Sequence, residues 1–142
     1  MLKKLLIVGF VTAAAPVLAG DVGAGQEVFE KQCKNCHRIQ DDAGNVIAGR
    51  ENTKTGPNLY GVVGRQAGTD ADFGNKYGDD LVKLGAGGFV WTAEELAVYV
   101  QDPRDFLKTK LDDKRAKTKM AFKLRKEEDA NNIAAYLASI TQ

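Results

Sequence analysis

Apolar positions recur at helical spacing in four stretches of the chain and lose that spacing in the long interval between the first and the second. Ala24, Gly25, Val28 and Phe29 form one stripe behind Asp21, whose carboxylate can cap the helix start, and the stripe runs into Cys33. Gly25 lowers helix propensity by about 1 kcal/mol relative to Ala, and the usual compensation is close approach of a second helix at that point. Thr92-Ala93-Glu94-Glu95 is a capping-box pattern, followed by Leu96, Tyr99 and Val100 on the buried face of a helix that ends before Pro103. A further short helix starts at Pro103 with Phe106 and Leu107 inward. Glu127, Glu128 and Asp129 place negative charge at the start of a last helix, in which Ile133, Tyr136, Leu137 and Ile140 share a face. This terminal helix is the expected partner at Gly25.

Between Arg38 and Gly88 turn residues dominate, among them Asp41-Asp42-Ala43-Gly44-Asn45 and Thr55-Gly56-Pro57-Asn58, and neither a strand nor a long helix is expected. The spacing allows one short helix over 79–84. Leu59, Tyr60, Val62, Val63, Phe73, Tyr77, Leu81, Val82 and Leu84 make the interval too apolar for a disordered linker. Fifty residues of loop inside a compact domain need something to wrap. A large flat cofactor would serve as their core. A second extended segment, basic in character, is expected from Asp112 to Phe122.

The ends of the chain change the picture. Met1-Leu2-Lys3-Lys4 is followed by an uncharged apolar run, Leu5 to Val17, and by small residues at Val17-Leu18-Ala19. This is the pattern of a secretory signal peptide cleaved after Ala19, and the run falls short of the ~20 residues that span a bilayer. Residues 1–19 are read as leader and 20–142 as a single domain, which 142 residues at 44% hydrophobic can support. Without Lys3 and Lys4 the formal net charge of +1 becomes −1, so whole-molecule charge says little about partners. Its distribution says more: Arg104 to Lys126 holds ten basic residues against three acids. Such a local excess can steer an acidic partner.

The candidate chemistry lies in Cys33-Lys34-Asn35-Cys36-His37, which contains both cysteines and the only histidine of the chain. Two thiols three positions apart can each add to a porphyrin vinyl group, and the adjacent imidazole can ligate the iron: the attachment sequence of a c-type haem. A thioredoxin-like dithiol needs alternating strands and helices around it, which the loops after His37 do not supply. A zinc site needs a fourth ligand, and no further Cys or His exists. A disulfide-linked protein matching the motif by chance leaves the loops without a core. On the opposite face of the iron the candidate is Met120, the only methionine besides the initiator, placed in the basic loop between Lys119 and Ala121. With both axial positions filled, the iron transfers electrons and binds no substrate. If Met120 does not reach it, the alternative is a haem enzyme or a gas-binding cytochrome with an open sixth position.

Taken together, Gly25 to Phe29, the Cys-Lys-Asn-Cys-His run, Thr55 to Arg65, Trp91 with Tyr99 eight residues on, Lys117 to Phe122 and Ile133 to Leu137 resemble the cytochrome c2 family of bacteria. The likeness covers essentially all of residues 20–142. Extra residues between His37 and Gly56, near Gly85 to Gly88 and between Leu107 and Met120 resemble its long subgroup. The resemblance implies an all-α class I cytochrome c fold with the first and last helices crossing over one covalent haem c. It implies thioethers at Cys33 and Cys36, axial ligands at His37 and Met120, and a Pro57 carbonyl accepting the other ring N–H of His37. Arg65, Tyr77 and Trp91 resemble groups that hold the haem propionates, while Tyr99 and Thr118 resemble side chains near the methionine sulfur or the haem. Leu59 and Phe122 resemble walls of the pocket, whereas Phe29 and Tyr136 read as core packing. The function implied is a periplasmic, monomeric one-electron carrier, not an enzyme, receiving electrons from the cytochrome bc1 complex. Its acceptor would be the photosynthetic reaction centre or a terminal oxidase. Docking is expected through Lys34, Lys54, Lys117, Lys119 and Lys123, with neither nucleic acid nor stable membrane insertion involved.

Overall fold

The computed structural model describes residues 19–140, so all but the last residue of the leader read at 1–19, and residues 141–142, lie outside the described residues. Helix α1 (Val22–Val28) begins where expected: the Asp21 carboxylate accepts the Ala24 N–H at 2.6 Å. It continues without a break into a wider turn, Phe29–Cys33, closed by a bond from Lys34 N–H to the Phe29 carbonyl. Such a π-turn adds a residue per turn and re-aims the chain beyond it. Here it sets the direction from which Cys33 leaves the helix.

Helix α5 (Glu127–Ser139) crosses α1 at Gly25. A Cβ at Gly25 would run into the Asn132 carbonyl and come within 2.7 Å of the Tyr136 Cβ, so only glycine permits this approach. The Asn132 side chain tightens the junction by accepting the Asp21 N–H at 2.8 Å. Phe29, fully buried, meets Tyr136 with ring centroids 6.3 Å apart, and Ala130, Ile133 and Ala134 complete the buried seam. Both aromatics belong to the core, as their sequence positions indicated.

The loop interval departs from expectation first in holding a short hairpin. Ile39–Gln40 (β1) and Val46–Ala48 (β2) pair antiparallel, with a bulge between Ile39 and Gln40. The turn is made by Asp41, whose carboxylate accepts the N–H groups of Ala43 and Asn45, and by Gly44 at φ +90°. A strand of two or three residues carries no readable alternation, which is why the sequence showed only the turn. A lone bridge, Gln66 to Val90, pins a second pair of distant segments. The short helix α2 (Asp79–Ala86) runs two residues further than its spacing indicated.

Helix α3 (Ala93–Gln101) is capped by Thr92, which accepts the Glu95 N–H at 3.1 Å. The reciprocal half of the capping box does not form; the Glu95 carboxylate instead pairs with Lys110 on α4 (Pro103–Leu111). Pro103 opens α4, Asp102 caps it, and Asp112 closes it in the left-handed conformation at φ +49°. From Asp113 to Lys126 the chain has no regular structure. Among the described residues no helix is long and apolar enough to cross a membrane.

Candidate haem site

The attachment motif emerges from the π-turn as a compact coil. Cys36 and His37 both donate their backbone N–H to the Cys33 carbonyl, at 3.0 and 2.9 Å. Both thiols are free of any disulfide, Cys33 half-buried and Cys36 exposed. Burial, with Cys36 adding to it, pushes the Cys33 thiol up to about 12, a property of the free thiol that disappears in a thioether.

His37 is buried and held from two sides. Its Nδ1 lies 2.9 Å from the Pro57 carbonyl, and since a carbonyl can only accept, Nδ1 carries the hydrogen and Nε2 keeps the lone pair. Burial holds the imidazole below its ordinary pKa, as does the charge of Arg65, while the Pro57 bond opposes them in part. Burial thus favours the neutral ring, in which Nε2 is the nitrogen free to ligate. Gly56 lies flat against it: a Cβ there would sit 2.6 Å from Nδ1 and 2.8 Å from Nε2. Gly56 N–H also donates to the Cys36 carbonyl at 2.7 Å, so the loop and the motif brace each other.

From Pro57 a chain of contacts runs through Arg65 to the aromatic cluster around Trp91 and Tyr99. The Asn58 carbonyl, one residue on, accepts from the Arg65 guanidinium at 2.9 Å. Arg65 is joined to Trp91 through the main chain, Trp91 N–H to the Arg65 carbonyl at 2.9 Å and Gly64 N–H to the Trp91 carbonyl at 2.8 Å. The Trp91 ring meets Tyr99 at 4.9 Å in an edge-to-face arrangement, with Phe89 and Phe106 around them. Burial raises the Tyr99 pKa, and the Thr118 side chain beside its phenol partly offsets that. The Thr118 hydroxyl in turn accepts the Met120 N–H at 3.1 Å. Tyr77 stands off this path: its hydroxyl accepts the Asp70 N–H at 3.2 Å and its ring packs edge-on against Phe73. Burial raises its pKa against the pull of the Asp70 bond and of Arg65.

The residues fit a haem c. Two free thiols flank an imidazole that presents a single unprotonated nitrogen, and a glycine cradle lies where a Cβ would displace that ring. A groove of about 560 Å³ between α3 and α4, lined by Val98, Phe106 and acidic side chains, contains none of these groups.

Two structural roles were not read from the sequence. Arg38 is buried; its guanidinium donates to the Thr53 carbonyl while its own carbonyl accepts from Leu59, bracketing the loop that supplies Gly56 and Pro57. Its position directly after His37 was the available signal. Asp80 bonds the main chain of the Met120 loop from 37 residues away, for which the sequence holds no signal.

The geometry defines a class I cytochrome c: helices crossing at a glycine, loops gathered on one attachment motif, and an imidazole fixed by a carbonyl. The sequence profile described as Cytochrome c matches residues 22–141. The chain is 56% identical over 129 residues to cytochrome c2 of Rhodobacter capsulatus, covering 91% of this chain and 89% of that one. It is 54% identical to cytochrome c-551 of Roseobacter denitrificans, covering 99% and 97%. The crystal structure of cytochrome c2 from Rhodobacter sphaeroides superposes with a TM-score of 0.80 at 56% identity, covering 86% of this chain and 97% of that one. The chain belongs to the cytochrome c family, in its cytochrome c2 branch. It is accordingly an electron-carrying cytochrome with one covalently attached haem c, and not an enzyme.

Proposed function

We propose that this cytochrome is a mobile one-electron carrier of the periplasm, exported with cleavage after Ala19, whose haem iron takes Nε2 of His37 and the thioether sulfur of Met120. Its electrons come from the cytochrome bc1 complex and pass to a photosynthetic reaction centre, a terminal oxidase or both. What supports the reading is the His37 ring, with Nδ1 at the Pro57 carbonyl and Gly56 flat against it, next to two free thiols, together with Met120 in a loop where its N–H is held by the Thr118 hydroxyl. When bound, the haem supplies a single iron that alternates between ferric and ferrous states.

The chain's own groups divide the remaining work. Cys33 and Cys36 tether the porphyrin, and the Pro57 carbonyl fixes the His37 tautomer and raises its basicity toward the metal. Arg65, Tyr77 and Trp91 offer donors for the propionate carboxylates, which cannot be buried without partners. Thr118 orients the main chain at Met120. The docking lysines differ in how committed they already are. Lys34 pairs with Glu30 and Lys123 with Asp102, and Lys119 donates to the Lys76 carbonyl. Lys54 and Lys117 are exposed, with no ion pair among the described residues.

The ferric protein is expected to show a weak far-red band from sulfur-to-iron charge transfer. Met120→Leu should abolish it and lower the reduction potential by on the order of 0.1 V, a fraction of the ~0.8 V range that axial ligation spans. An unchanged potential would mean that another group is the sixth ligand. For the partners, flash-induced oxidation of the cytochrome by membranes with and without reaction centres decides which acceptor it serves.

A further inference from the structure

The segment carrying Met120 has no secondary structure of its own, so its position depends on what neighbouring elements hold. On its C-terminal side the anchor is the end of α3: Leu124 N–H donates to the Val100 carbonyl at 2.8 Å, and the Lys123 ammonium pairs with Asp102 at 2.6 Å. On its N-terminal side the anchor is the start of α2 and the turn just before it. The Asp80 carboxylate accepts the Lys117 N–H at 2.7 Å, and the Lys119 ammonium donates to the Lys76 carbonyl at 2.9 Å. The chain passes close to Gly78 at this point, where a Cβ would lie 3.5 Å from the Lys119 side chain. Met120 lies only three positions after the Asp80 contact at Lys117, and Thr118 in between bonds the Met120 main chain.

We propose that Asp80 is a positioning residue that latches the Met120 loop shut and thereby sets how readily an outside ligand displaces the methionine. The proposal rests on Met120 being the sixth ligand. A carboxylate bonding a backbone N–H is the stronger, charge-assisted kind of hydrogen bond. It exists only while the loop is seated, so it favours the closed form over any form in which the sulfur has left the iron. An external ligand such as imidazole binds the open form alone. Its apparent affinity is the intrinsic affinity scaled by the open fraction. Removing a contact peculiar to the closed form therefore raises that affinity by the factor by which the open fraction grows.

The experiment uses the ferric holoprotein, titrated with imidazole while the far-red sulfur band is followed, together with amide hydrogen exchange at Lys117. Asp80→Ala is expected to tighten imidazole binding about tenfold, equivalent to about 1.4 kcal/mol, and to speed exchange of the Lys117 amide. Asp80→Asn keeps an acceptor oxygen and should recover most of the wild-type behaviour. Thr92→Ala removes a helix cap remote from the loop contacts and should leave imidazole affinity unchanged. If wild type shows the sulfur band and Asp80→Ala binds imidazole no more tightly, the latch is overturned and the ligation stands. A wild type without the band overturns the ligation and the latch with it. An equal gain in Thr92→Ala assigns the effect to general loosening and likewise overturns the latch.

Discussion

At the scale of single residues, the site depends as much on a missing side chain as on those present. The His37 ring is fixed at Nδ1 by Pro57 and covered by the α-carbon of Gly56. A methyl group at 56 would overlap three ring atoms, and the ring cannot retreat without breaking the Pro57 bond. Gly56→Ala is expected to destabilise the holoprotein by at least the ~1–3 kcal/mol typical of overpacking, read as a lower midpoint in guanidinium chloride. It should also shift the reduction potential, since the imidazole loses the partner that raises its basicity. The motif at 33–37 was legible because haem attachment demands residue types at fixed local spacing. Gly56 was readable only as a turn former, because its second role exists once His37, 19 residues away, has folded against it.

Secondary elements were legible in proportion to their length and their caps. Helices α1, α3, α4 and α5 each begin at a residue whose chemistry marks a start, and their stripes select the buried face. The hairpin at Ile39 to Ala48 and the bridge from Gln66 to Val90 were not legible, since their pairing is defined by partners rather than by pattern. Asp102 serves two elements at once: it caps α4 by accepting the Asp105 N–H at 3.0 Å, and it pairs with Lys123 on the Met120 loop. The Lys123 bond first, and then the Asp105 N–H, hold its carboxyl below the ordinary value of 3.8. A carboxyl depressed on folding contributes stability that is complete above its unfolded pKa and is lost as pH falls through its folded one. Asp102→Asn keeps a good cap and loses the charge. The variant should be less stable than wild type at neutral pH, with the gap closing as the pH drops below 3.8, and the gap should shrink in high salt because the pair is partly exposed. Denaturant midpoints across pH for both proteins give the comparison. A gap that persists undiminished in acid would show that the carboxylate charge is not what links α4 to the loop.

For the whole molecule, the near-zero net charge conceals a strongly basic stretch from Arg104 to Lys126, and docking is where that asymmetry acts. Removing any one lysine changes the long-range field by the same unit of charge, whether or not the side chain is paired. Lys117→Gln and Lys123→Gln should therefore slow association with an acidic partner by similar factors at low ionic strength. Both effects should vanish as the screening length falls from ~10 Å at 0.1 M salt to ~3 Å at 1 M. The lifetime of the complex is a separate matter. The ammonium of Lys117 is exposed and uncommitted, whereas that of Lys123 must leave Asp102 before it can bond a partner carboxylate. Dissociation should consequently quicken more for Lys117→Gln than for Lys123→Gln, a difference measurable by stopped-flow binding to an isolated redox partner. Association rates that ignore salt would take the basic stretch off the docking face. Equal changes in dissociation would mean that the Asp102 pair opens freely on contact, and that the fold does not rank its lysines for the partner.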